Sequence, residues 1–165
     1  TTSYTVGPID FTPPVPTTLG TQLFISTDDV YSNIIPLGFD FCFFGNSFSD
    51  IVIGTNGVLT FDQTLAGAFC PWLFNQPVPD PLDFPANSIM GPFHDIDPSV
   101  GFTSNINYSI IGVAPCRALV VNYSTVPQFS CNGLISSSQI VLYETTNVIQ
   151  TGKGGGKGGG GGGGE

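Results

Sequence analysis

Short runs of apolar and β-branched residues alternate with turn residues along most of this chain. No window of about 11 residues places apolar side chains at helical spacing, so we expect no helices. Runs of this length between turn residues are typical of an all-β, antiparallel β-sandwich. We predict strands at Gln22–Ile25, Phe39–Phe44, Ile51–Ile53, Val58–Phe61, Ser88–Phe93, Ile106–Ile111, Ala118–Tyr123 and Ser138–Tyr143.

Two turns and one long loop punctuate these strands. Asn56-Gly57 lies between two β-rich runs and supplies the positive-φ positions of a tight hairpin. Phe44-Gly45-Asn46 predicts a similar turn upstream. The proline-rich segment Pro71–Pro85 cannot continue a sheet, so we expect a long loop over one end of the sandwich.

Charge is scarce and one-sided. Charged residues make up 9% of the 165 residues, against about 25% in ordinary soluble domains. The net charge is −9, and Arg117 is the single Lys or Arg before the glycine tail. Nucleic acids and anionic membranes require basic patches, so we exclude both as partners. The sequence has no long apolar run and no signal-peptide pattern at its start, so we expect an already processed, soluble segment.

Four cysteines predict two disulfide staples on a hydrophobic core. Of the three pairings we favour Cys42 with Cys70 and Cys116 with Cys131, because sequence neighbours close most easily. Each closure would add about 3 kcal/mol in the chain-entropy estimate. A zinc site is the rival interpretation, but no C-x-x-C pair occurs and His94 is far from every cysteine in sequence.

The composition changes abruptly after Gln150. The segment TGKGGGKGGGGGGGE has no apolar side chain and cannot contribute to a core. We interpret 1–150 as a secreted β-sandwich domain and 151–165 as a linker or as a placeholder for residues of undetermined identity. On the placeholder interpretation we expect the true chain to continue past these positions.

The acidic segment His94-Asp95-Ile96-Asp97-Pro98 is the strongest candidate for chemistry. Alternating carboxylates at a strand end can bind a hard cation through oxygen, which makes Asp95 and Asp97 candidate Ca²⁺ ligands. Asp28 and Asp29 form a second acidic pair, although neither pair follows the calcium-loop motif. Turn carboxylates that cap backbone amides are the alternative interpretation. No other cofactor is expected.

We do not expect an enzyme. The sequence has one histidine and no G-x-S-x-G motif, and Asp95 with Asp97 would need an aromatic-lined cleft to act as a glycosidase pair. We expect Arg117 to pair with Asp95 or Asp97. In the proline-rich loop, Trp72, Phe74 and Phe84 predict either a platform for a glycan or partner, or an apolar plug for the sandwich end.

Several motifs in fixed order carry a family resemblance. The run IIPLGFDFCFFGNSFSDIVIGTNGVLTFDQ resembles the strand-turn-strand signature of nidogen-like extracellular domains. Together with it, the motifs FCPW, SIMGPFHDIDPS, APCRALVVNY and SQIVLYETTNVI resemble the amino-terminal domain of large surface proteins of gliding bacteria that type IX secretion exports. The resemblance extends from about Tyr4 to Ile149.

The resemblance implies a nidogen-like or jelly-roll-like sandwich and a place at the cell surface. On that basis we expect a non-catalytic module of an adhesin or filament-type protein that acts in adhesion, assembly or gliding. Its partners would be other protein domains, copies of itself or a glycan, with no direct insertion into the membrane. The alternative is a calcium- or glycan-binding module attached to a larger secreted protein.

Overall fold

Two antiparallel sheets form the fold in a computed structural model that describes residues 12–17, 19–23, 27–77, 80–100 and 105–154. One sheet has the order β1-β6-β7-β8-β9 and the other β2-β3-β4-β5. The strands are β1 (Thr21–Gln22), β2 (Ile35–Phe43), β3 (Asn46–Ile53), β4 (Val58–Thr60), β5 (Ser88–Met90), β6 (Asn105–Ile111), β7 (Ala118–Gln128), β8 (Cys131–Tyr143) and β9 (Ile149–Gly154). The one helical element in these ranges is a 3-10 turn at Gln63–Leu65.

The core lies between the two sheets. In β2 every second side chain from Ile35 to Phe41 is buried and those between are exposed, which is the period-two pattern of a strand with one face inward. Leu119 and Val121 of β7 belong to the same apolar cluster. Burying each such side chain contributes about 1.5–3 kcal/mol. This shared core makes the molecule a β-sandwich, which confirms the all-β, antiparallel part of the predicted fold class.

Consecutive strands are neighbours in each sheet. The four strands β2 to β5 form one meander and β6 to β9 form another, with β1 added beside β6. A jelly roll instead has Greek-key order, so that part of the fold description is wrong. The predicted hairpins are present: Phe44 and Gly45 have φ of 46° and 82°, and Gly57 has φ of 81°.

The described part of the long loop starts at one end of the sandwich and then covers the outer face of a sheet. Val52 and Val58 point away from the central core and pack with Cys70 and Phe84 in a second apolar cluster. The described part of the loop therefore shields the outer face of the four-stranded sheet. Its many prolines suit this role, because a covering loop needs no ladder of backbone hydrogen bonds.

Several strands extend further than the sequence pattern predicted. The β7–β8 hairpin continues to Gln128 and Cys131, with register shifts on both sides of Pro127. Proline is tolerated in a strand at such irregularities. The last strand, β9, continues to Gly154 and so passes the predicted boundary after Gln150. Of the predicted strand Gln22–Ile25, residues 24 and 25 lie outside the described residues.

The predicted disulfides are absent, and all four cysteines are free thiols. Cys116 precedes β7, whereas Cys131 pairs with the far end of that strand, so about 33 Å separates them at 3.3 Å per residue. Cys42 pairs with Ser47 at the start of β3, whereas Cys70 packs against Gly54 beyond its end, about 23 Å away. A disulfide requires Cα atoms within about 7 Å. In each predicted pair the two cysteines therefore lie at opposite ends of a strand, too far apart to form a disulfide.

Arg117 does not pair with Asp95 or Asp97. It lies at the start of β7 and forms an ion pair with Glu144 at 2.5 Å. Asp97 instead contacts Pro127, near the other end of the same strand. Among the described residues, no helix is long and apolar enough to cross a membrane.

Candidate functional site

Two loop segments bring four aspartates to one end of the sandwich. Asp28 and Asp29 lie on the segment that leads into β2, and Asp95 and Asp97 lie on the segment that follows β5. The second segment is fixed to the end of β7 by a bridge between Ile96 and Gln128. The two acidic pairs, which the sequence analysis treated separately, are thus one cluster.

The carboxylates are close together. Oxygen atoms of Asp28, Asp29 and Asp95 all lie within 4.8 Å of one another. Asp97 is 7% exposed and lies close enough to Asp28 for its charge to raise the pKa of that carboxyl. One Asp28 oxygen, Oδ1, is buried without a hydrogen-bond partner within the described ranges. The cluster therefore holds oxygen ligands that the protein itself does not fully satisfy.

The electrostatics of the cluster follow from burial and like charge. Burial, followed by the charges of Asp97, Asp29 and Asp95, raises the pKa of Asp28 to about 7. Burial and the charges of Asp29 and Asp97 also raise the pKa of Asp95. Like charges in one site oppose ionisation. At neutral pH a proton on Asp28 relieves part of this repulsion.

Asn56 holds the cluster in place. This fully buried side chain donates through Nδ2 to Asp29 Oδ1 at 2.8 Å and accepts through Oδ1 from the Ile96 backbone N–H at 3.2 Å. Nδ2 also contacts the carbonyl oxygens of Cys70 and Pro71 at 3.3 and 3.4 Å. One side chain therefore joins both acidic segments to the start of the proline-rich loop.

Asp97 also caps a turn, which was the alternative interpretation of the acidic segment. Its Oδ1 accepts hydrogen bonds from the Ser99 backbone N–H at 2.8 Å and from the Ser99 hydroxyl at 2.5 Å. This is the turn-capping role of aspartate. Asp97 is therefore partly committed to the loop, and Asp28, Asp29 and Asp95 are the better candidate ligands.

The three aromatic residues predicted as a ligand platform divide into two groups. Phe74 and Phe84 pack against each other with ring centroids 4.9 Å apart, and both also contact Phe93. Trp72 is 36% exposed and forms an edge-to-face pair with Phe69, which is 60% exposed. Since Asn56 binds the carbonyl of Pro71, this exposed pair is adjacent to the acidic cluster.

His94 has a structural role in the loop between β5 and β6. Its Nδ1 is 2.6 Å from the carbonyl oxygen of Pro92, and burial lowers the pKa of the imidazole. The neutral ring can donate its Nδ1 proton to that carbonyl. His94 thereby fixes the loop that carries Asp95.

Sequence reasoning found the carboxylates but missed two members of the site. Asn56 was interpreted as a turn residue, because an Asn-Gly pair between strands gives no sign of what its amide binds. Phe69 was not singled out, although it belongs to the FCPW motif. Its exposure beside a cysteine is visible only in the fold.

Fold and site together define a β-sandwich module with a carboxylate cluster at one end. The chain belongs to the NIDO-related, or nidogen-related, family, whose sequence profile matches residues 3–160. That family consists of non-enzymatic modules. No curated protein and no solved structure matches the chain significantly.

Proposed function

We propose that this domain is a non-catalytic extracellular interaction module whose binding end is organised by a divalent cation, with Ca²⁺ as the ion that fits. The observation that carries the proposal is the convergence of Asp28, Asp29 and Asp95 within 4.8 Å, with Asp97 beside them. The chain has three Lys and Arg residues in all. Of these, Arg117 is committed to Glu144 at the opposite end of β7.

The arrangement of the ligands favours calcium. Ca²⁺ takes six to eight oxygen ligands in flexible geometry, whereas Mg²⁺ demands near-ideal octahedral geometry and usually keeps several waters. Three carboxylates that meet from two separate loop segments within 4.8 Å suit the flexible coordination of Ca²⁺ better.

A cation would replace the proton on Asp28. With a pKa of about 7, this carboxyl is partly protonated at neutral pH. Metal binding requires ionised carboxylates and releases protons. The affinity for Ca²⁺ should therefore fall as the pH falls below 7.

The adjacent aromatic pair supports an interaction role. Phe69 and Trp72 expose apolar rings beside the carboxylates, and Asn56 connects the backbone next to Trp72 with Asp29. Aromatic side chains are enriched at protein interfaces and also stack on ligands. A bound cation would fix this surface for a partner domain, a second copy of the module or a glycan.

The wider setting belongs to the same proposal. The family is one of non-enzymatic modules, and the single histidine is engaged in a backbone contact. The motif resemblance and the low charge content favour an amino-terminal module of an adhesin or filament-type surface protein. Export by type IX secretion and a role in gliding follow from that resemblance.

Thermal unfolding of the chelator-treated full chain tests the cation site. We expect Ca²⁺ at 100 times its Kd to stabilise the fold by about 2.7 kcal/mol. For a chain of this size that raises the Tm by roughly 5–10 °C. Mg²⁺ should have a smaller effect, and calorimetry in buffers of different ionisation enthalpy should detect proton release.

Matched substitutions make this experiment specific. Asp29→Asn should abolish the Ca²⁺ response, whereas Asp40→Asn, the same change at an exposed position of β2, should retain it. An unchanged Tm on adding Ca²⁺ to the unsubstituted chain would refute the proposal. Equal loss of the response in both variants would also refute it.

A further inference from the structure

An open cavity beside β5 combines aromatic walls with a buried carboxylate. Its volume is about 520 Å³, and its lining includes Phe43, Phe44, Phe74, Phe84, Met90 and Asp80. Pockets for small ligands have about 300–1,000 Å³ and apolar walls with a few polar groups. The cavity has this composition and does not include the aspartate cluster.

Asp80 is the charged residue in the lining of this cavity, which Asn87 and Ser88 also line. It is 3% exposed, and its Oδ1 accepts a hydrogen bond from the Leu82 backbone N–H at 3.3 Å. Its Oδ2 is buried and has no hydrogen-bond partner in the part of the chain that the structure describes. A buried carboxylate oxygen without a partner is costly, so a positive charge close to it would be favoured.

The walls of the cavity are also suited to a cation. Phe43 and Phe44 form an edge-to-face pair with centroids 4.7 Å apart, and Phe74 and Phe84 lie 4.9 Å apart. The face of an aromatic ring carries negative charge density and attracts ammonium groups. Phe44 is 88% exposed at the hairpin turn between β2 and β3, where its φ of 46° lies in the left-handed region. An apolar side chain that exposed gains nothing from the core.

We propose that this cavity binds an organic ammonium group, with Asp80 as its counterion and the phenylalanines as cation–π partners. The net charge of −9 favours a cationic ligand at long range. A free quaternary amine and a lysine side chain of a partner protein share this chemistry. The inference does not depend on the proposed Ca²⁺ site.

Titration of the full chain with choline tests the proposal, and 3,3-dimethylbutanol is the matched neutral probe of the same shape. Chemical shifts of the phenylalanine rings should report saturable binding of choline, with the neutral probe at least about tenfold weaker. A peptide with trimethylated lysine and one with unmodified lysine, titrated in parallel, distinguish the two sources of the ammonium group.

Two variants and one control identify the residues responsible. Asp80→Asn keeps the Oδ1 acceptor but removes the charge, and it should weaken choline binding by about tenfold. Phe44→Ala should also weaken binding without unfolding the chain, because its ring is exposed. Phe129→Ala, exposed at the turn between β7 and β8, should have no effect. Equal affinity for the neutral probe, unchanged affinity in Asp80→Asn, or no saturable binding of choline would each overturn the proposal.

Discussion

The two ends of β7 hold carboxylates in opposite ways. At its start, Glu144 accepts hydrogen bonds from Arg117 Nε at 2.8 Å and Nη2 at 2.5 Å. The same guanidinium donates to the carbonyl of Gly38 in β2 and lies 5.6 Å from the ring centroid of Phe39. Arg117 thus ties the two sheets together. At the other end, the aspartate cluster has Asn56 and backbone groups but no cationic side chain among its contacts in the described residues.

The pKa shifts express this difference. Hydrogen bonds from Arg117 lower the pKa of Glu144, whereas burial and like charge raise the pKa of Asp28 to about 7. A carboxylate with a partner stabilises the fold in its ionised form, and one without a partner stabilises it in its protonated form. The end of β7 with the Arg117–Glu144 ion pair is structural. An external cation would bind most favourably at the other end, beside the aspartate cluster.

Asn56→Ala should have the largest effect at the aspartate end. It leaves the Ile96 N–H and one Asp29 oxygen without their partner inside a buried site. Such losses cost about 2–4 kcal/mol in the free energy of unfolding. Chemical denaturation measures this change directly, and the Ca²⁺ response should be lost with it.

Asn132→Ala is the matched control for that substitution. Asn132 is exposed at the start of β8, so its removal should change the free energy of unfolding by no more than about 0.5 kcal/mol. If both variants were equally stable, Asn56 would not be the residue that organises the aspartate end.

Asp28→Asn should remove a pH dependence in the metal-free chain. The folded pKa of about 7 exceeds the ordinary value of 3.8, so the folded state binds the proton more tightly. Its stabilising effect is complete below pH 3.8 and is lost as the pH rises to 7. Since Asp28 is only partly buried, solvent screening reduces the effect to about 1 kcal/mol. Denaturation between pH 4 and 7.5 should show this slope in the unsubstituted chain and in Asp40→Asn. The raised pKa of Asp95 leaves a smaller residual slope in Asp28→Asn. A slope that is not reduced at all in that variant would contradict the assignment.

Glu144→Gln should alter the acid side of the profile and have a smaller effect. The lowered pKa of Glu144 means that its contribution is present above the ordinary value of 4.5 and is lost as the pH falls below it. The pair is partly exposed, so the contribution should also weaken at high salt. The variant should lose both dependences. A salt response identical to that of the unsubstituted chain would show that the pair is not stabilising.

Local patterns predicted much of the fold. Alternation in β2 and the Asn-Gly turn are visible over a few residues, because side-chain direction and positive φ depend on near neighbours. The β7–β8 hairpin extension was missed, since Pro127 and a serine run resemble a loop. The disulfide pairing failed for a related reason: in a meander, sequence neighbours such as Cys116 and Cys131 lie at opposite ends of one strand.

The site was predictable only in part. Asp28 and Asp29 were recognised as one acidic pair and Asp95 with Asp97 as another, but their convergence depends on the long-range path of the chain. The same holds for Asn56, whose amide contacts residues far away in sequence. Composition revealed the ligand type, and topology determined which ligands meet.

Trp72 provides the finest test of the comparison, because it is the single tryptophan of the chain and lies next to the aspartate end. A cation that fixes Asp29 should reposition the backbone at Pro71 through Asn56, and the half-exposed indole should change its solvent contact against Phe69. We expect a small shift in the tryptophan emission that follows the calorimetric Ca²⁺ isotherm. Asp40→Asn should preserve it, and Glu144→Gln at the other end of β7 should as well. If Ca²⁺ binds by calorimetry while the emission stays constant, the cation site exists but does not control the aromatic surface. In that case the partner surface must be sought elsewhere on the module.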